Sequence, residues 1–302
     1  MKKGFFKDNK ILSINFLYIL SLIPLIIFGY YKNGYLVWHN GYIPFFYSLQ
    51  YIIIPVIIIL LSYVFETYYY VVVKKDDDMH NVFNSIAPFI NTICYLICAP
   101  TNPLYITIPI IVILDVILKF IDKKFTINQI ALFKCCLFGI LYVMGIKGMA
   151  NLYEIEMGAA TGLKDLFLGF GTGGIGVTSS LCALIGLVIL LFNSYYKKDV
   201  PFITIIGYGI VALIVYLVGD VTIKQLLVKA FSSSFIFVAI FVASLSNATP
   251  VVRSGRVLYA LLVGMLSSVF VNVLDIYVGV YITVLVFSLL VPLFDKIKLS
   301  VN

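Results

Sequence analysis

An all-α, polytopic membrane protein of about ten transmembrane helices, arranged as two five-helix halves, is the fold class this sequence predicts. Three observations predict it. Of 302 residues, 62 % are hydrophobic and only 12 % charged, with a mean hydropathy of +1.07. Soluble domains carry about 25 % charged residues, so a chain this apolar has to dissolve in lipid. Apolar runs of roughly 18 to 20 residues recur along it, the length of a spanning helix rather than of the alternating strands of a barrel. Basic residues gather in alternate connections, the charge bias that orients membrane helices.

The helix cores read as 11–30, 43–66, 82–99, 104–121, 127–146, 175–193, 201–218, 227–246, 256–272 and 276–293. The second belongs to a run from Tyr42 to Val73 and tilts or extends past the lipid. Lys2, Lys3, Lys7 and Lys10 precede the first helix with no small-residue cleavage site after it, so it reads as a retained anchor. With both termini in the cytoplasm, 15 of the 21 basic residues fall in cytoplasmic segments or tails. Lys32, Lys147, Lys164, Lys224 and Lys229 fall in outside loops. The net charge of +7 follows from that orientation and implies no nucleic acid. Usage rich in Lys, Ile, Asn and Tyr suits an AT-rich bacterial genome, which implies a bacterial plasma membrane.

Two halves, 1–150 and 151–302, follow from the order of elements. The third helix ends at Ala99-Pro100 and the eighth near Ala248-Thr249-Pro250, each followed by an apolar helix. Five helices per half makes a repeat inverted, which places a site near the midplane at the interface. Gly158 to Ser180, at the start of the second half, holds seven of the 21 glycines. Glycine weakens helices and lets backbone approach closely. Non-helical backbone at membrane depth survives only where protein buries it or water reaches it. This outward hairpin is therefore a candidate binding site.

Ionisable groups inside the membrane are functional candidates by default. Asp115 in the fourth helix and Lys134 in the fifth stand roughly 10 Å from one face, at 1.5 Å per residue. They pair with each other, or Asp115 bridges to Lys119 one turn on. Glu66 and Asp275 lie near helix ends and read as water-facing. His39 and His80 read as loop residues without partners at metal-ligand spacing. Cys94, Cys98, Cys135, Cys136 and Cys182 lie in apolar runs and read as small buried hydrophobes, with no zinc-type spacing. Asp76-Asp77-Asp78 reads as a solvated loop, and Ser232-Ser233-Ser234 as part of the eighth helix, bonding neighbours or lining a path. The GTGGIG of residues 171–176 follows no strand–helix pattern and is no dinucleotide fingerprint.

Asp165 to Ser180, DLFLGFGTGGIGVTSS, resembles the DLFLG…GGxIGExS segment of one membrane family. FTINQIA from Phe125 resembles its NPFNPA, with Asn128 on the second Asn. PVVRSGR from Pro250 resembles its Pro-x-Thr-x-x-Gly-Arg run, and VPLFD from Val291 its closing VPLID. Asn84 to Ala87 with Ala99-Pro100 resembles its DGSA and LPP stretches. That family comprises the D subunit of Rnf-type electron-transport complexes and the related B subunit of the sodium-pumping NADH:quinone reductase. The resemblance implies a subunit, not catalytic alone, that relays electrons through flavin while its complex moves Na⁺ or H⁺. Its partners would be the other membrane and redox subunits. It also implies FMN esterified to Thr161, with Ala160, Asp165, Gly173 and Gly174 around it; Asp115 and Lys134, singled out by their place in the membrane, are the candidates for an ion path. Ile155, Gly158 and Val177 replace polar residues of the family's motifs. Their loss fits an alternative, a flavin-free transporter or channel for a small solute on the same fold, which is similar to that of urea channels.

Overall fold

A computed structural model describes residues 15–75, 82–83, 85–99, 101–120, 126–145, 162–219 and 221–297. Among these residues every regular element is a helix. In chain order they are α1 (Asn15–His39), α2 (Gln50–Val73), α3 (Ala87–Ile97), α4 (Leu104–Phe120) and α5 (Gln129–Val143). There follow α6 (Leu163–Leu168), α7 (Ser180–Leu191), α8 (Asp199–Val218), α9 (Ile223–Ser232), α10 (Phe235–Val242), α11 (Arg253–Val273) and α12 (Gly279–Leu289).

Among the described residues, α1, α2, α8 and α11 are long and apolar enough to cross a bilayer. The pair α9–α10, bent by 60°, makes a fifth if it counts as one span. α3, α5, α7 and α12 are shorter apolar helices of 11 to 15 residues. α3, with 11 residues, is about 16 Å long, roughly half the hydrocarbon thickness.

Every residue of α3 is buried, although its sequence carries Asn91 and Thr92. α2, α4 and α5 pack around it, α1 packs on α7, and α5 packs on α12. Apolar side chains cover the outside as well: Phe46, Tyr142, Val143, Leu217 and Val218 are all exposed. Such a surface suits lipid rather than water. The closest helix pair is α8 with α11. Glycine makes it possible: a Cβ on Gly207 would stand 2.5 Å from the Leu261 carbonyl, and one on Gly264 would collide with that of Thr204. Small residues let backbones approach where lipid supplies no hydrophobic drive.

Several sequence expectations change. Lys164, Lys224 and Lys229, expected in outside loops, lie on α6 and α9. The first helix runs past residue 30 to His39, so Lys32 and His39 are helical and not in a loop. The run expected as 175–193 becomes helical only at Ser180. The serine run does not continue a helix: the chain turns at Ser234, where φ is +56°, and α9 gives way to α10. Glu66, expected to face water, is 2 % exposed. For Lys32, Ile175-Gly176 and Glu66 a tertiary partner outweighs the local pattern. His80 lies outside the described residues.

Replacing Gly264 by Leu forces α8 and α11 apart. Overpacking of this kind costs about 1–3 kcal/mol. The expected result is a lower melting temperature for the detergent-solubilised chain, while Gly209→Leu, where nothing lies within 4 Å of the added Cβ, leaves it unchanged.

Candidate functional site

A helix that stops inside a membrane leaves its last carbonyls without intrahelical donors. At the end of α3 three successive carbonyls are met from elsewhere. Leu96 accepts from the amide of Gly176 at 3.1 Å and Cys98 from that of Ile175 at 2.8 Å. The carbonyl between them, Ile97, accepts from the ammonium of Lys134 at 3.1 Å. A cation at a helix C-terminus also meets the negative end of the helix dipole. Lys134 is buried on α5, with the ring of Tyr281 from α12 at 5.8 Å. Gly174 is needed here, because a Cβ would lie 2.5 Å from the Ile97 carbonyl.

The same glycine-rich hairpin is gripped from its other side by α1. Lys32 is wholly buried in a wide π-turn over Tyr31–Tyr35. Its ammonium donates to the carbonyls of Gly169 at 2.9 Å and Gly171 at 2.7 Å, and to Thr178 Oγ1 at 3.2 Å. Asn33 reaches the Ile175 carbonyl at 3.4 Å. Gly169 ends α6 with φ +118°, and Gly173 turns the hairpin with φ +135°, values that L side chains rarely adopt. Wide π-turns recur at functional sites in helices.

Neutral groups meet the end of α10. Asn128 Nδ2 donates to the Val242 carbonyl at 2.7 Å, while its Oδ1 accepts from Ala131 and caps α5. Its amide donates to Ser288 Oγ of α12 at 3.1 Å. One asparagine thus joins α5, α10 and α12. Tyr196 donates to the Ile240 carbonyl, as does Ser244. The two C-terminal sequence motifs also meet: Asp295 accepts from the amides of Val251 and Val252 at the start of α11.

A second charged group lies at the other end of α3. Lys119 on α4 stands 3.0 Å from Asp115 Oδ2 and 2.7 Å from Glu66 Oε1 of α2. Its ammonium also lies 5.2 Å from the centre of the Tyr69 ring. Two cavities meet at this group. One, of about 550 Å³, surrounds the start of α3 and is lined by Glu66, Lys74, Ser85, Asp115 and Gln129 among others. The other, of about 340 Å³, is an apolar cleft lined by Ile58, Phe65, Ile111 and Val112 with Asp115 and Lys119. At the far end of α3 a third cavity of about 360 Å³ is lined by Gln50, Tyr51, Cys98, Asn102 and Ile175.

The residues expected to matter are thus separated. Asp115 bonds Lys119 within its own helix, the second of the two arrangements open to it, and Lys134 serves the end of α3. Gly173, Gly174 and Asp165 belong to the hairpin and α6. Ala160 and Thr161 lie outside the described residues. Sequence reasoning missed Lys32 and Glu66. The signal for Lys32 was present: apolar residues continue on both sides of Lys32-Asn33-Gly34, from Ile26 to Trp38. Glu66 carried a weaker one, since the aromatic and apolar run from Tyr68 to Val73 still separates it from Lys74.

Broken helices whose ends meet donors deep in the bundle, with buried charges between cavities, define a polytopic helical membrane protein built around an internal site. The chain belongs to the NQR2, RnfD, RnfE family, whose pattern it matches over residues 4–301. It is 25 % identical over 159 residues to the D subunit of the proton-translocating ferredoxin:NAD(+) oxidoreductase complex of Clostridium ljungdahlii, covering 52 % of this chain and 47 % of that one. It is 28 % identical over 135 residues to the D subunit of the ion-translocating oxidoreductase complex of Stutzerimonas stutzeri, covering 45 % and 38 %. The aligned stretches therefore span less than half the length of these relatives.

Lys32→Met removes the ammonium from which the buried Gly169 and Gly171 carbonyls accept, at a cost of about 1–3 kcal/mol. Cleavage within 169–178 by a protease at native conditions is expected to accelerate at least as much as global stability falls. A hairpin as resistant as the wild type would contradict the clamp.

Proposed function

We infer that this chain is the bilayer-embedded subunit of an ion-translocating oxidoreductase complex. It relays electrons through flavin while the complex moves Na⁺ or H⁺ across a bacterial plasma membrane. Family membership and the names of its relatives support the complex. The observation that carries the ion path is the Glu66–Lys119–Asp115 group, buried where an aqueous-sized vestibule ends against an apolar cleft. Ionisable side chains at such depth are retained for ion or proton movement far more often than for stability.

The arrangement adopted in this reading is ten spans in two inverted halves, with both termini in the cytoplasm. Its support is the repeated order of short helix, break, long helix and short helix: α3, α4, α5 in one half and α10, α11, α12 in the other. The Glu66 vestibule then opens to the cytoplasm and the Cys98 cavity to the exterior. Lys134 holds a fixed positive charge between them, which repels cations from the route along α3. The ion path accordingly runs beside α4. Partners are the other membrane and redox subunits.

Flavin belongs to this reading through Thr161, whose hydroxyl would supply the ester oxygen for FMN; the bound flavin would supply one-electron chemistry. The described part of the hairpin contributes position rather than a pocket. Gly174 faces the Ile97 backbone, and Lys32 bonds the carbonyls of Gly169 and Gly171.

Two measurements test the reading. In vesicles carrying the whole complex, Asp115→Asn is expected to slow redox-driven ion uptake about tenfold, equivalent to about 1.4 kcal/mol, with electron transfer retained. Uptake at the wild-type rate would remove Asp115 from the path. After acid denaturation, a fluorescent band should stay with the polypeptide on a gel and vanish in Thr161→Ala. A dark band removes covalent flavin, and solute flux through the chain alone would favour a transporter.

A further inference from the structure

Glu66, Asp115 and Lys119 set two carboxylates against one ammonium. Glu66 and Asp115 are 2 % and 7 % exposed, and among the described residues the one ammonium that bonds them is Lys119, with Lys74 on the wall of the same vestibule. Glu66 Oε1 is the more unusual atom. Among the described residues its one polar partner is the Lys119 ammonium at 2.7 Å. A buried carboxylate oxygen held by a single ammonium on a flexible stem is open to exchange of that partner for another small positive ligand.

The surroundings decide between a proton and a metal cation. Hard metal cations need a shell of about six oxygens. Of the neutral polar groups nearby, Asn91 donates to Ser62 and Gln129 to Asn91, while Ser85, Thr126 and Asn247 stand on the vestibule wall. On the far side the apolar cleft offers hydrocarbon. A proton needs a single oxygen and leaves the group neutral. The titratable groups that face Glu66 are Tyr69, Tyr70 and Lys74 of its own helix and Asp115 and Lys119 of α4. α3 and α5 bring Asn91 and Gln129, with the thiol of Cys94 behind Asp115.

We propose that Glu66 takes up one proton from the 550 Å³ vestibule and that Lys119 is a tethered counter-ion for this site. The inference rests on the ion-translocating reading and names the ion this group handles. A hydronium ion in the vestibule gives its proton to a Glu66 oxygen lone pair, an O–H bond forms, and water is left behind. The group passes from one net negative charge to none. Lys119 keeps its three protons and its bond to Asp115, and its hold on Glu66 weakens. Release of the proton restores the carboxylate, and the ammonium swings back between the two acids. The ammonium therefore competes with the proton for Glu66.

Infrared difference spectroscopy of the full chain in lipid nanodiscs, titrated with acid, reads this directly. One protonated-carboxyl carbonyl band should grow as pH falls, shift in D₂O, ignore added NaCl, and disappear in Glu66→Gln. Lys119→Gln should raise the band's midpoint by about one pH unit, a tenfold gain in proton affinity, because the competitor is gone. Asp115→Asn should lower it, because the ammonium then serves Glu66 alone. Absence of a titrating band in the wild type, its survival at full size in Glu66→Gln, or an unmoved midpoint in Lys119→Gln overturns the proposal. Competitive loss of the band with Na⁺ overturns it in favour of a metal-cation site. Ion uptake by the whole complex with no such band would sink this inference alone. A band with no redox-driven uptake would sink the wider reading alone.

Discussion

Broken helices inside a bilayer have to find hydrogen-bond partners within the protein, and this constraint organises the molecule. Lipid offers no donor to a carbonyl that a helix leaves open. α3 stops after 11 residues, and the amides of Ile175 and Gly176 with the ammonium of Lys134 meet its last carbonyls. The hairpin that supplies those amides is itself open backbone, and Lys32 closes it. α10 ends against Asn128, Tyr196 and Ser244. Remove one donor and the next segment loses its support, so α1, the hairpin, α3 and α5 form one dependent chain.

The lysines inside the bundle, Lys32 and Lys134 buried and Lys119 half-buried, divide by partner. Lys32 and Lys134 meet backbone carbonyls, whose partial charges do not change with conditions. Lys119 meets two carboxylates, which exchange protons. The first arrangement suits a fixed scaffold, and the second suits a site that alternates between charge states. Glycines serve the scaffold: Gly174 lets the hairpin lie on the end of α3, and Gly207 and Gly264 let α8 lie on α11. The moving charge is thereby held beside a rigid half-helix, between a polar vestibule and an apolar cleft.

Much of the fold class was legible from composition, since 62 % hydrophobic residues admit no soluble solution at this length. The family was legible from short motifs, and Asn128, singled out there, proves to tie three helices together. Of the glycine-dense segment, residues 169–179 were legible as non-helical backbone, though not what they pack against, while Leu163–Leu168 within it forms a helix. Lys32-Asn33-Gly34 has the composition of a turn and forms part of a helix, because the carbonyls that hold Lys32 lie more than 130 residues away in the chain. Glu66 looked water-facing because Lys119, its partner, lies on α4 beyond the whole of α3. The serine run looked helical because nothing local forces φ +56° at Ser234. Periodicity reports what a helix buries and is silent on where a half-helix finds its donors.

Amide hydrogen exchange at Ile175 and Gly176, measured residue by residue in the lipid-embedded chain, tests the central claim most directly. Both amides belong to a glycine-rich stretch with no regular structure, yet both donate to the end of α3. Protection comparable to that of the α3 amides is the predicted result. Exchange as fast as in an exposed loop would mean that the half-helix ends on something else, and the dependence described here would not exist.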